Sequence, residues 1–225
     1  MSRKKFKHNF LTVPKIEQKN LEEGRVYEGD GFSFPSITTV LSKTKDNTYL
    51  FKWRARVGEE QAKKITLAAT GRGVKMHTLC EKYLLNEEFD SLGYSKGELL
   101  FRSIKPHLDT FDEIRALETS IYSKRLSVAG SVDCVAVIDN VLTVVDFKTS
   151  TREKKEEYIE DYFLQGCFYL NAFWELSGEL PKIVKILIAL EDGGTQVFNL
   201  RGGEIIKYSK LLEERIEKYY AHKTK

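Results

Sequence analysis

Cysteine is scarce: Cys80, Cys134 and Cys167 are the three in 225 residues, and they lie far apart. Without a CxxC pair or a histidine at a matching spacing, a structural zinc site or an iron–sulfur cluster does not fit. Each cysteine sits in an apolar-rich run and reads as a small core residue in a reducing compartment. No apolar run approaches the length of a membrane span, so no membrane association is expected. The basic start, MSRKKFKHNF, is followed by no apolar stretch and does not read as a secretory signal. Internal repeats and low-complexity linkers are missing too, which excludes a solenoid or an array. Charge of one sign is also lacking. The 36 Lys+Arg against 33 Asp+Glu leave a net charge of +3. Such a balance permits a polyanionic partner without requiring one, because local clusters matter more than the total.

What is present is the composition of a folded globule, with 41% hydrophobic and 12% aromatic residues. The length suits one domain with a full core, or a core with a small appendage. Residues 1–35 read as irregular, with a turn at YEGDGFSFP. PSITTVL reads as a helix start with Ser36 as its N-cap. A basic helical stretch follows, YLFKWRARVGEEQAKKITLAA. GRGVKMHTLCEKYLL then reads as a separate helix with an apolar stripe, and Lys96 to Ala116 as another, bent or interrupted at Pro106. The period next becomes strand-like in ETSIYSKR, LSVAGSVDCVAVI and VLTVVDFKT. EEYIEDYFLQGCFYLNAFWELSG is apolar nearly all round and predicts a buried helix ending at Gly178. Two strands around EDGG and a closing amphipathic helix complete a mixed α/β class with a central sheet.

The stretch GSVDCVAVIDNVLTVVDFKTS places Asp133 and Asp146 inside two apolar runs. An isolated buried carboxylate is costly, so something must offset it. Asp139-Asn140 is a turn dipeptide, and a two-residue loop there pairs Ile138 with Val141 and hence Asp133 with Asp146. Directly opposed residues share a face, with Cβ atoms roughly 4.5–5.5 Å apart. Lys148, two residues beyond Asp146, points to the same face. Opposed like charges destabilise a sheet, and a divalent cation reverses that sign; two hard oxygen donors with room for water suit Mg²⁺ or Mn²⁺. Lys148 then activates a water or stabilises the transition state of phosphodiester hydrolysis. The bland alternative is a Lys148 salt bridge with one acid at a solvated strand end. Elsewhere, FKWRAR groups Lys52, Trp53, Arg54 and Arg56, cations with an aromatic that suit a single strand, or else a solvated helix face. Arg72, beside Gly71 and Gly73 at the expected helix start, is a further phosphate candidate.

Asp133 followed by Asp146-Phe147-Lys148 resembles the PD-(D/E)XK nuclease superfamily. Gln165 and Tyr169, one helical turn apart, resemble the Q-x-x-x-Y helix of RecB-type nucleases, and GRGVKMHTLCEKYL resembles their G-x-x-x-H helix, here with His77. FPSITTVLSKT, FKWRARVGEE, GRGVKMHTLCEKYL, AGSVDCVAVIDNVLTVVDFKTS and the Gln165–Tyr169 helix also occur in this order in the family of the mitochondrial genome maintenance exonuclease and its phage-encoded relatives.

The resemblance implies a restriction-endonuclease-like fold. Its parts would be an N-terminal segment with basic helices covering the active site (1–70) and a nuclease core (71–225). It implies Mg²⁺ or Mn²⁺ at Asp133 and Asp146, with the Phe147 carbonyl, His77 and Glu118 as further ligands. Glu118 could equally be an exposed acid at a strand start, and His77 a structural histidine, with Glu81 either orienting it or simply lying on the helix surface. Gln165 and Tyr169 would position Lys148, a water or the scissile phosphate, or else bond within the core. Thr149 and Ser150 would bind phosphate. The implied activity is exonucleolytic cleavage of single-stranded DNA by a monomer, in the cytoplasm of a bacterial or phage-infected cell. A flap endonuclease on the same core, or a non-catalytic DNA-binding module, are the alternatives.

Overall fold

The computed structural model describes residues 4–29, 31–89, 93 and 95–223. Asp30 in the expected turn, part of the loop preceding Lys96 and both extreme ends of the chain lie outside that set. The elements run β1 (Lys7–His8), β2 (Glu17–Leu21), β3 (Gly24–Gly29), β4 (Phe32–Pro35), α1 (Ile37–Thr44), α2 (Thr48–Val57), α3 (Glu59–Leu84) and α4 (Lys96–Leu108). Then follow β5 (Phe111–Ser123), β6 (Val128–Ile138), β7 (Val141–Ser150), a short 3₁₀ turn (Glu156–Tyr158), α5 (Glu160–Ser177), β8 (Ile183–Leu190), β9 (Thr195–Arg201) and α6 (Gly203–Lys223).

Six strands form a mixed sheet in the order β1-β5-β6-β7-β8-β9. β1 with β5 and β7 with β8 are parallel, and the other neighbours are antiparallel. Alternation along each strand sends side chains to opposite faces. On β7, Val144 joins the core formed with α1, α5 and α6. Its neighbours Val145 and Phe147 join the core formed with α3 and α4. The central mixed sheet flanked by helices is therefore as expected. The Asp139-Asn140 turn is also as expected: both residues have positive φ, 50° and 63°, the geometry of a tight two-residue hairpin.

Five expectations are corrected. Residues 1–35 are not irregular, because β2, β3 and β4 build a second, antiparallel sheet. It docks through Tyr27, which is buried against Tyr122 and Ala129. The basic helical stretch expected before Gly71 is broken at Gly58, where α2 ends, and its second half continues through Gly71 as one 26-residue helix, α3, since glycine alone does not break a helix that packs well. The division expected between residues 70 and 71 falls inside it. The helix expected to reach Ala116 ends at Leu108, with Pro106 in its last turn, and Phe111–Ser123 is strand. Finally, Glu118 does not begin a strand but lies within β5.

Candidate active site

The β6–β7 ladder runs in the expected register from Ile138↔Val141 to Cys134↔Val145 and its pairing stops there. Asp133 and Asp146 are the next residues on each strand. Instead of a further backbone pair, the Phe147 N–H donates to Asp133 Oδ2 at 2.7 Å. Asp146 is fully buried; its Oδ1 has no hydrogen-bond partner among the described residues, and Oδ2 meets only Lys148. The Lys148 ammonium lies 2.5 Å from Asp146 Oδ2, with only 21% of its side chain exposed, and 5.2 Å from the Tyr162 ring centroid.

A third strand contributes Glu118. Its φ of +43° is left-handed, a conformation that costs free energy for any residue bearing a Cβ. The kink is tied off by Thr119, whose hydroxyl accepts from the Leu117 N–H and contacts the Leu117 carbonyl. It turns the Glu118 carboxylate toward His77 on α3. His77 Nε2 donates to the Phe147 carbonyl at 2.9 Å, while Nδ1 faces Glu118 at 3.4 Å and Asp133 at 3.7 Å. Donor atoms of His77, Glu118 and Asp133 all fall within 4.8 Å of one another.

The electrostatics follow from packing like charges in a dry place. Burial pushes the Asp146 carboxyl up to about 6, with the Asp133 charge adding to the rise and Lys148 opposing it. Asp133 is raised by the same burial, against the pull of His77 and Lys148. Burial disfavours the His77 imidazolium, but Asp133 and then Glu118 overcome it and raise the imidazole to about 9. Burial likewise works against the Lys148 ammonium, and the Asp146 and Asp133 charges outweigh it. Glu118 and Asp133 share the wall of a cavity of about 240 Å³ with His77, Lys148, Gln165 and Tyr169, while Asp146 is buried at the Lys148 ammonium. On α5, Gln165 Nε2 donates to the Tyr169 hydroxyl at 2.8 Å.

The structure therefore brings together Asp133, Asp146, Lys148, His77, Glu118, Gln165 and Tyr169. Other expected site residues are placed differently. The Phe147 carbonyl already accepts from His77. The partners of the His77 ring are that carbonyl and Glu118, not Glu81, although Glu81 shares with His77 and Glu118 a neighbouring cavity of about 350 Å³. Ser150 turns its hydroxyl onto the Arg152 backbone rather than outward, and Thr149 faces α3 near Gly73. Arg72 is mid-helix, not at a helix start, and pairs with Glu191 at 2.9 Å. Lys52, Trp53, Arg54 and Arg56 stand on α2, which has no buried residue and contributes nothing to the cavity wall. The basic helix expected to cover the site does not line it.

The sequence reading missed Arg25, Tyr27, Ser36 and Thr38, which complete that wall. The signal for Ser36 was visible as an N-cap, and it does cap α1 by accepting from the Thr39 N–H at 3.0 Å. Arg25 and Tyr27 sat in a segment read as irregular.

Two comparisons bear on this arrangement. Mitochondrial genome maintenance exonuclease 1 of Xenopus tropicalis is 31% identical over 151 residues, 62% of this chain and 43% of that protein. The Homo sapiens protein of the same name is 31% identical over 152 residues, 61% of this chain and 43% of its own length. The chain carries a nuclease fold related to the PD-(D/E)XK superfamily. It spans 43% of the length of these curated relatives. No protein-family model matches it. Among solved structures, a phage related exonuclease from Haemophilus somnus aligns at a TM-score of 0.37 with 14% identity, covering 66% of this chain and 80% of that one.

Proposed function

We propose that the protein is a divalent-metal-dependent deoxyribonuclease that hydrolyses phosphodiester bonds in single-stranded DNA from free ends. The observation that carries the reading is Asp146: a fully buried carboxylate whose Oδ1 has no partner among the described residues and whose Oδ2 meets only the Lys148 ammonium, with a second acid close by. Such a group is costly unless an ion completes it. The printed names of both curated relatives, exonucleases of mitochondrial genome maintenance, support the same chemistry here.

The donors fit a hard cation such as Mg²⁺ or Mn²⁺, since carboxylate oxygens dominate the set. Asp133, Asp146 and Glu118 would hold it, and His77 could join through Nδ1 after losing its proton. When bound, such an ion supplies Lewis acidity at the scissile phosphate and lowers the pKa of water.

The chain's own residues do the rest. Lys148 is held in its charged form by the two aspartates, so it serves as a fixed cation for negative charge building on the phosphate oxygens. Arginine could not replace it, because a planar fork does not fit where a compact ammonium sits against Asp146. Tyr169 is buried, and burial together with Asp133 and Asp146 keeps its phenol neutral well beyond the usual range. It can therefore orient Gln165, which faces the cavity. Outside the cavity, Lys52, Trp53, Arg54 and Arg56 on α2 would meet the approaching strand through phosphate contacts and stacking.

The test is digestion of linear single strand, circular single strand and blunt duplex at one salt concentration with Mg²⁺ or Mn²⁺. Loss of the linear strand alone is expected. Rapid digestion of the circle would replace the exonuclease reading with an endonuclease, and binding without cleavage of any substrate would overturn both.

A further inference from the structure

We infer that Arg25 grips a backbone phosphate of the substrate strand beside the scissile one, and that the small N-terminal sheet exists to hold it there. This rests on the nuclease reading above.

Arg25 lines the same cavity as Asp133, Lys148 and Gln165, yet comes from β3 rather than from the central sheet. Its backbone is fixed on both sides. The Arg25 N–H donates to Thr39 Oγ1 at 3.0 Å, the Ser36 N–H donates to the Arg25 carbonyl at 2.8 Å, and the Thr39 hydroxyl lies 3.1 Å from that carbonyl. Thr39 is itself buried in the first turn of α1. The approach is close enough that Gly24, at φ +127°, has no room for a Cβ, which would fall 2.5 Å from Thr39 Cγ2. The anchor is therefore rigid.

Arg25 is an exposed residue, and its side chain meets only neutral partners, the Tyr27 hydroxyl and Asn20. Among the described residues no carboxylate lies within ion-pair distance of the guanidinium, and its Nε makes one long hydrogen bond, 3.4 Å, to Asn20 Oδ1. The arginines that brace the fold differ: Arg72, Arg115, Arg125 and Arg215 each meet a Glu or Asp. A cation pinned at its backbone, without a carboxylate partner among the described residues and lining the candidate cavity, is placed for an external anion. A guanidinium fork suits the oxygens of a phosphodiester. Lys148 and the acids claim the scissile phosphate at one wall, so the neighbouring phosphate is the one within Arg25's domain. The exposed Thr38 hydroxyl, 2.9 Å from Ser36 Oγ on the same wall, adds a donor beside it. Holding two successive phosphates fixes which bond lies over the acids.

The experiment measures binding of linear oligothymidylate by fluorescence anisotropy, in EDTA so that nothing is cut, across a range of salt concentrations. Arg25→Ala should weaken binding about tenfold, the loss of one charge-assisted contact. Its log–log salt slope should be shallower by about 0.7, one phosphate on a single strand. Arg25→Lys should keep the slope and recover part of the affinity. Thr39→Val should reproduce the affinity loss of Arg25→Ala, and Thr39→Ser should restore it, since the hydroxyl positions Arg25. Wild-type melting temperature in Arg25→Ala confirms that the change is local. If Arg25→Ala binds with unchanged affinity and slope while the wild type still cleaves, the inference falls and the nuclease reading stands. If the wild type neither binds nor cleaves the strand, both fall.

Discussion

At the scale of single residues, the site is defined by what its carboxylates lack. Asp146 is buried beside Asp133, and one lysine at 2.5 Å is its nearest compensation. Folding raises its carboxyl from the ordinary 3.8 to about 6, first through burial. The folded chain therefore holds this proton more tightly than the unfolded chain does. The resulting stability is fully present below the ordinary carboxylate range and is lost as pH rises through about 6. Asp146→Asn lacks that titration. In the absence of divalent metal, the wild type should melt further below Asp146→Asn at pH 8 than at pH 5. Adding Mg²⁺ or Mn²⁺ at pH 8 should raise the wild type selectively, by mass action on the folded state. Scanning fluorimetry of the two proteins at both pH values checks this. A gap that ignores pH and metal would mean that Asp146 is not the exposed weakness described above.

At the scale of elements, β5 makes the site by being irregular. The left-handed Glu118 swings its carboxylate toward His77 and Asp133, and the backbone bears the conformational cost. Glu118→Ala and Glu118→Gly both delete the carboxylate, but glycine adopts positive φ freely. Glu118→Gly should therefore be more stable than Glu118→Ala by about 1 kcal/mol in urea unfolding. Equal stabilities would show that the kink carries no strain. The same irregularity explains a misreading. The ladder between β5 and β6 shifts register between Phe111 and Glu113 and again between Ile114 and Ala116. Bulges of this kind leave the buried Phe111 and Ile114 three residues apart, which imitates helical spacing. The β6–β7 hairpin, in contrast, was legible because Asp139-Asn140 admits only a few turn geometries and the strands beyond it are regular. Its register brings Asp133, Asp146 and Lys148 together. The small sheet was not legible: β2 reads EQKNL, with no apolar alternation, and its strands are held by pairing and by Tyr27 rather than by a buried face of their own. Arg25 was lost with it. His77 and Gln165 needed tertiary placement, which only the resemblance could suggest.

At the scale of the whole molecule, two layers of helix enclose one mixed sheet, and the candidate cavity opens where the sheet's central ladder lets go. Strand β7 delivers Asp146 and Lys148, β6 Asp133, β5 Glu118, α3 His77, α5 Gln165 and Tyr169, and the N-terminal sheet Arg25. Charges that would be unwelcome separately are concentrated at one place, while the chain as a whole stays nearly balanced at +3. Among the described residues, no helix is long and apolar enough to cross a membrane. The central claim is that this convergence is a metal-dependent phosphodiesterase centre. The most direct test is the rate of label release from end-labelled linear single-stranded DNA in Mn²⁺, for wild type, Asp146→Asn and Lys148→Ala, each shown to be folded and to bind the strand. Release by the wild type, its abolition by EDTA and a fall of at least about a hundredfold in both variants are the predicted result. Release at near wild-type rates by either variant, or by the wild type in EDTA, would contradict it.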